Sequence, residues 1–298
     1  MESITFQNTM ASVDHVKIRN DEYSEINKGL AVEITWPPTK SHPDRRLVAD
    51  GHVYIPSLMA TVGDDASICH VVAEMFQLSK EEASQLKVKS VVGGITNKLY
   101  HVSGIPKSTN SATSSLPESV LLRIFGGHGM IDRDVETSTY AALAQQGIAL
   151  PYYGRFGNGR LEGWCPNSRH LQVRELSQRQ FSLGIARATA RLHSQFVIPP
   201  ELQQHHNPHA TPTLWTQLES WLEQALVSSF QNEYDTKRAA ALPLAQLKEE
   251  FMWLKQHVCN TTTAKVAFCH NDLLAANVLR YREDDDDGEE KIQLIDFE

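Results

Sequence analysis

The sequence predicts an α+β chain of two lobes, strand-rich in its first half and mainly helical in its second. Two observations predict it. Short segments rich in β-branched and aromatic residues alternate with turn formers from Val88 to Cys165. Apolar residues then recur at helical spacing from Phe181 to Val258. The implied organisation is an N-terminal region over 1–86, a strand-rich lobe over 87–165 and a helical lobe over 166–298.

The 298 residues, 41% hydrophobic and 21% charged, suffice to bury a sizeable core. A formal net charge of −8 argues against sequence-independent binding of nucleic acid, which needs clustered Lys and Arg to displace counterions. Cys69, Cys165, Cys259 and Cys269 show no C-x-x-C spacing. Neither a disulfide framework nor a zinc knuckle is indicated, and a reduced, cytoplasmic setting fits. Met1 to Ile26 lacks the apolar core of a signal peptide. No stretch approaches the roughly 18 apolar residues of a membrane span, so no integral membrane association is expected.

Through residue 60, isolated apolar positions mix with Pro37, Pro38, Pro43 and Pro56 without a sustained period, which predicts extended or loosely packed chain. Ile68, Val72, Met75 and Phe76 then recur at helical spacing, so a helix is expected near residues 66–80. Val88 to Val92, Leu99 to Val102 and Val120 to Phe125 read as an antiparallel meander, the first two joined at Gly93-Gly94. Gly104 to Pro117 has too little apolar content to fold alone and reads as a mobile hairpin tip. Asp132 to Gln146 reads as a helix, acidic in its first turn and capped by Gly147. Gly159 to Cys165 reads as a further strand.

Three helical stripes follow: Phe181, Ile185, Ala188, Leu192 and Phe196; Leu214, Leu218, Trp221 and Ala225; Leu247, Phe251, Leu254 and Val258. Trp215, Trp221 and Trp253, on or beside them, are expected in the core, and His193 as a packed histidine. Val266 to Cys269, Val278 to Tyr281 and Ile292 to Ile295 read as short buried strands, the last two as a hairpin closing on Asp287-Gly288.

The chemistry is carried by His270-Asn271-Asp272-Leu273-Leu274-Ala275-Ala276-Asn277, which has the H-x-D-x-x-x-x-N spacing of a kinase catalytic loop. Ile295-Asp296-Phe297-Glu298 supplies a second acidic motif. Together they make the two-lobed, protein-kinase-like fold the expected one. Phosphoryl transfer needs a carboxylate to accept the acceptor hydroxyl's proton, and oxygen ligands for Mg²⁺ on the phosphates of ATP. Asp272 fits the first role, Asn277 and Asp296 the second, and His270 supports the loop. Each alone could be an Asp capping a turn, an Asn opening a strand or an Asp closing one.

Gly93-Gly94-Ile95-Thr96-Asn97 lies between two strands, where missing side chains let backbone N–H groups approach phosphate oxygens. Alone it is equally an ordinary hairpin turn. Arg123 sits mid-strand among Leu121, Leu122 and Ile124, and a buried charge there needs a partner. Glu136 is the expected one, steadying Arg123 against the α- and β-phosphates; the plainer alternative is a surface arginine on an edge strand. His205, His206 and His209 are expected to form a polar loop rather than a metal site, and Asp284 to Asp287 a solvated loop.

Leu122-Arg123-Ile124-Phe125-Gly126, Glu136 with Tyr140 and Leu143, Gly159-Arg160-Leu161-Glu162 with Pro166 and Ser168-Arg169, and the two motifs above resemble, in order, the choline/ethanolamine kinase family. The likeness covers roughly Val91 to Glu298. Ile131-Asp132-Arg133 and Asn271-Asp272-Leu273-Leu274 resemble the ethanolamine branch more closely than the choline branch. The resemblance implies transfer of the ATP γ-phosphoryl group to the hydroxyl of ethanolamine, the first step of the CDP-ethanolamine route to phosphatidylethanolamine. It further implies Val92 to Lys98, with Gly93, Gly94, Thr96 and Asn97, as the phosphate loop. Arg123 becomes the phosphate-contacting base with Glu136 orienting it, Glu162 and Gly163 a hinge beside adenine, and Arg169 a nucleotide contact. Gly163 departs from the glutamine usual in choline kinases.

Family members continue past Asp296-Phe297-Glu298 into helices that supply aromatic and acidic residues to the cationic acceptor pocket, since an ammonium group is held by aromatic faces and carboxylates. The helical lobe is therefore expected to be incomplete, with the nucleotide and metal sites present and most of the acceptor site lacking. The expected partner is ethanolamine, with homodimerisation left open. Two alternatives stand beside an ethanolamine kinase: a nucleotide-binding protein without catalysis, and a kinase of choline, aminoglycosides or another small molecule.

Overall fold

The computed structural model of the chain describes residues 44–47, 52–91, 97–106, 116–126, 132–203, 205, 212–261, 266–282 and 290–297. The expected hairpin tip and the acidic loop at Asp284 to Asp287 lie largely outside them.

A seven-stranded sheet organises the first lobe, in the order β1 (Arg46–Leu47), β2 (Val53–Ile55), β6 (Tyr152–Phe156), β7 (Gly159–Gly163), β5 (Ser119–Ile124), β4 (Lys98–Ser103), β3 (Lys87–Val91). All pairings are antiparallel except β2 with β6. The meander β3-β4-β5 and strand β7 are as the sequence predicts. Alternation sets their faces. Tyr100, Val102, Val120, Leu122, Ile124 and Leu161 enter one core, and Arg123, Arg160 and Glu162 lie on the opposite face.

Helix α1 (Asp65–Phe76) covers the core face with Ile68, Val71, Val72 and Met75. The Asp64 side chain caps its start by accepting from Ala66 N, and Gln77 ends it with left-handed backbone at φ 57°. Arg45 donates to the terminal carbonyls of Glu74 and Met75 at 2.8 and 3.0 Å, a cation at the negative helix end. A one-turn helix α2 (Lys80–Ala83) follows with a Ser79–Glu82 capping box.

Two strands correct the sequence reading. Val53–Ile55, in the stretch expected to be irregular, is β2, and Tyr152–Phe156, assigned to no element, is β6. Residues 53–91 thus share one sheet and core with the strands after residue 97. β2 comes so close that a Cβ on Gly154 would stand 2.5 Å from the Val53 carbonyl oxygen, and Gly154 has φ +136°. Only glycine fits there.

Helix α3 (Arg133–Gln145) is capped by Asp132, whose carboxylate accepts from Asp134 N and Val135 N. It ends at Gly147, φ +65°, with Ile148 N donating to Leu143 O at 2.9 Å. That is the left-handed helix stop the sequence predicts. Tyr140, Ala141 and Leu143 of α3 join a second core with Phe181 and Leu192 of α4 (Arg179–Gln195), Val278 of β9 (Val278–Tyr281) and Leu294 of β10 (Lys291–Leu294). Strands β8 (Arg169–His170), β9 and β10 form an antiparallel sheet with β9 central. Val266 to Cys269, expected as a strand, is not one. The edge of β9 that β10 leaves open is taken by β8.

The remaining helices, α5 (Thr213–Val227), α6 (Glu233–Ala240) and α7 (Leu244–Thr261), bury little. On α5 the buried residues are Trp215 and Leu222, while Leu214 and Trp221, read as part of the inner stripe, are exposed. The ring of Trp215 meets that of Phe251 at 6.0 Å between centroids, and that contact sets the phase of the helix. Trp253 is 64% exposed and His193 is exposed, so neither is a core residue. No helix among the described residues is long and apolar enough to cross a membrane.

Candidate active site

Residues 270–277 fold into a tight loop through local hydrogen bonds. Asn271 adopts left-handed backbone at φ 62°, a conformation Asn tolerates better than most residues. Leu274 N donates to Asp272 O at 3.0 Å, and Asn277 N to Leu274 O at 2.9 Å. The result turns Asn277 back on Asp272: its Nδ2 donates to Asp272 O at 2.9 Å and to Asp272 Oδ2 at 3.1 Å. Asn277 is buried, whereas Asp272 is exposed at the surface. The amide oxygen of Asn277 remains for another ligand.

His270 is 4% exposed, and its Nε2–H donates to Ile295 O at 2.8 Å while its ring lies against Phe297 at 4.9 Å. It ties the loop to the second motif. Ile295 N donates to Asn277 O at 3.0 Å, which sets Asp296 beside Asn277. A second tether, His170 Nδ1–H to Ala276 O at 2.6 Å, has no sequence signal. Asp296 has left-handed backbone at φ 66°, and its Oδ1 accepts from Arg123 NH1 at 2.8 Å.

Arg123 lies on β5, the third strand from the β3 edge, and is 4% exposed, so it is no surface arginine. Arg123 bonds Glu162 and Asp296, and the expected partner Glu136 adds a smaller electrostatic contribution to its charge. Arg123 Nε donates to Glu162 Oε1 at 2.8 Å. Glu136 accepts instead from Arg160 NH1 at 2.8 Å and Arg133 NH1 at 2.6 Å. Sheet register explains the exchange: Arg123 and Arg160 are direct cross-strand partners, and like charges at that distance need carboxylates between them. Glu162 supplies one, since Arg160 Nε also donates to its Oε1, at 2.7 Å.

Burial works against the Glu162 carboxylate, but Arg123 and Arg160 outweigh it and hold its pKa below the usual range. Burial likewise opposes the charge of Arg123, and Glu162 and Asp296 reverse that, so its pKa is raised. The Tyr140 hydroxyl, buried and hydrogen-bonded to Glu162, is pushed well up.

The other candidate residues are placed as follows. Gly93, Gly94 and Thr96 lie outside the described residues. Asn97 is 3% exposed, and its Oδ1 accepts from Gly126 N at 3.3 Å. The Glu162 side chain is committed to the two arginines, and its strand is paired on both edges. Arg169 makes a two-point pair with Glu175, at 2.7 and 2.5 Å, and donates to His170 O. Among the described residues, its hydrogen bonds go to Glu175 and His170 rather than to the Arg123 cluster. Asp272 is bonded to Asn277 and Arg123 to Asp296, and the two pairs are linked through the Ile295–Asn277 backbone hydrogen bond; Arg169 adjoins the loop only through the neighbouring His170–Ala276 hydrogen bond. The residue sequence reasoning passed over is Arg160; its signal was the Arg-x-Glu spacing on one face of a strand.

An amide oxygen and a carboxylate are hard donors that suit Mg²⁺, and Arg123 beside them suits phosphate oxygens. The exposed carboxylate of Asp272 is open to a hydroxyl acceptor. The site has the parts that phosphoryl transfer uses.

The comparisons with known proteins bear on the family and the fold. The sequence pattern of the choline/ethanolamine kinase family matches residues 88–298. A protein of Arabidopsis thaliana described as a probable ethanolamine kinase is 30% identical over 217 residues, 72% of this chain and 52% of its own length. The choline/ethanolamine kinase of Homo sapiens is 30% identical over 221 residues, 73% of this chain and 51% of its own. The chain spans about half the length of these relatives. Among solved structures, an ethanolamine kinase of Plasmodium vivax has a TM-score of 0.63 at 21% identity, covering 81% of this chain and 64% of its own. A choline kinase of Cryptosporidium parvum has a TM-score of 0.56 at 19% identity, covering 78% and 64%. Both carry the same fold. With its family pattern matched over residues 88–298, the chain belongs to the choline/ethanolamine kinase family.

Proposed function

We propose that the chain phosphorylates the hydroxyl of ethanolamine from ATP, yielding phosphoethanolamine for the CDP-ethanolamine route in the cytoplasm. The observation that supports this reading is the bonding of Asn277 to Asp272 and of Arg123 to Asp296, with Ile295, the residue before Asp296, hydrogen-bonded to the Asn277 carbonyl. The acceptor is favoured by the Asp132-Arg133 and Asn271-Asp272-Leu273-Leu274 motifs.

Asp272 acts as the base, taking the hydroxyl proton as the acceptor oxygen bonds to the γ-phosphorus and the bond to the β,γ-bridging oxygen breaks. ADP leaves with the electron pair. Asn277 and Asp296 would hold Mg²⁺, which would supply positive charge to neutralise the phosphates of ATP. Arg123 turns its NH1 edge from Asp296 to the phosphates, while Glu162 keeps its Nε edge fixed. Asn277 Nδ2 keeps the Asp272 carboxylate aimed.

The test is formation of phosphoethanolamine and ADP by the purified chain with ATP, Mg²⁺ and ethanolamine. Asp272→Ala is expected to lower turnover by at least about 10²-fold and to leave nucleotide affinity intact; unchanged turnover would remove Asp272 from the chemistry. Choline is the second reading, because the relatives include choline kinases of Arabidopsis thaliana and Mus musculus at 28% and 27% identity. A higher kcat/KM for choline than for ethanolamine would select it.

A further inference from the structure

The two guanidinium groups that meet Glu162 differ in what else they reach. Arg123 extends to Asp296, whose side chain is 30% exposed. Arg160 is fully buried and reaches only inward: to Glu162 through Nε, to Glu136 through NH1, and over the Tyr140 ring at 4.6 Å. Its NH2 has no hydrogen-bond partner among the described residues. Charge at that depth is costly unless compensated. Here compensation is complete: Arg123, Arg133 and Arg160 stand against Glu136, Glu162 and Asp296. The Tyr140 face adds a cation–π contact.

We propose that Arg160 is a positioning residue for phosphoryl transfer, holding Arg123 in register through the shared Oε1 of Glu162. This rests on the reading of Arg123 as the phosphate contact. Arg160 anchors one side of the Glu162 carboxylate and is itself fixed by Glu136 on α3. Glu162 Oε1 can then meet only the Nε edge of Arg123, which leaves NH1 directed at Asp296. Glu136 therefore orients Arg123 at one remove. The task needs a fork: Arg160 binds two different carboxylates through Nε and NH1, which the single ammonium of lysine cannot reproduce.

Loss of Arg160 would leave Glu136 and Glu162 competing for Arg123 and Arg133, and Arg123 would withdraw from Asp296. The test is a double-mutant cycle on the whole chain, reading affinity for the non-hydrolysable nucleotide AMP-PNP with Mg²⁺ by calorimetry. Arg160→Met is expected to weaken binding about 10-fold, as loss of a supporting partner does. In an Arg123→Met background the same change is expected to matter less than about twofold. Equal losses in both backgrounds would overturn the inference, because Arg160 would then act without Arg123. If Arg160→Met does not fold, Arg160→Met with Glu136→Gln removes one charge of each sign and is run through the same cycle.

A second readout needs no nucleotide. The Arg123 Nε–H, bonded to Glu162 in the buried cluster, should exchange slowly in ¹⁵N NMR, and about 10-fold faster in Arg160→Lys if the fork is what holds it. Unchanged exchange in that folded variant also overturns the inference. A parent chain without AMP-PNP affinity would overturn the proposed nucleotide chemistry, while the exchange measurement would still decide whether Arg160 positions Arg123.

Discussion

Arg123 and Arg169 were both candidates for the nucleotide, and they sit in opposite surroundings. Arg123 is buried in a cluster of three guanidinium and three carboxylate groups between β5, β7 and α3. Arg169, on the edge strand β8, has a side chain 40% exposed and, among the described residues, one ion-pair partner, Glu175, with Glu290 acting from farther off. Distances do not separate the two, since the Arg169–Glu175 contact at 2.5 Å is shorter than the Arg123–Glu162 contact at 2.8 Å. Burial does. Water screens the exposed pair and offers each ion an alternative partner, whereas a buried ion has only the partners the fold provides.

The largest effect that difference predicts is that of Arg123→Met. It leaves Glu162 with Arg160 alone and frees Asp296 of its cation, so stability should fall by about 3 kcal/mol or more in urea unfolding. Nucleotide affinity should fall with it. A loss under about 1 kcal/mol would class Arg123 with surface pairs, and the contrast with Arg169 would collapse.

Glu162→Gln probes the same cluster through pH. The Glu162 pKa is lowered in the folded chain because Arg123 and Arg160 overcome the burial that would raise it. Its contribution is present above the unfolded value of about 4.3 and is lost as pH falls through the folded one. The variant should therefore be less stable than the parent at neutral pH, with the two melting temperatures converging in acid. Parallel curves down to the acid transition would mean that the carboxylate is not paired as described.

Why the cluster was half legible follows from register. The sequence shows Arg123 on a strand and Glu136 near in the chain, and it shows the 270–277 loop and the Asp296 motif as patterns, since the spacing within each is local. Which carboxylate meets Arg123 depends on β5 pairing with β7, with Arg123 opposite Arg160, and no local spacing encodes that. The same division holds for the fold. Helices α1, α3 and α4 repeat their period over three or more turns and are readable. β2 has three residues, too few for a period, and β6 breaks its alternation at the irregularity between Tyr152 and Gly154. For α5 the period is visible but its phase is set from outside, by Phe251 meeting Trp215 rather than Trp221.

The smallest effect belongs to the exposed pair, and it tests the comparison from the other side. Burial would raise the Glu175 pKa, but the hydrogen bond from Arg169 acts first and most strongly, and with that from Gln172 N it holds the carboxyl down to about 2. The Glu175 side chain is 12% exposed, but the Arg169 side chain it pairs with is 40% exposed, so a shift of that kind is discounted by screening. Glu175→Gln should leave the melting temperature within error of the parent in 0.15 M salt, and a small difference should emerge only at low ionic strength. Should Arg169 contact the nucleotide as the family resemblance implies, Arg169→Gln would weaken AMP-PNP binding without any change in stability. A variant that loses stability and affinity together would instead show β8 to be coupled to the catalytic loop through the adjoining His170–Ala276 hydrogen bond, and solvent exposure would then be the wrong criterion for ranking the two arginines.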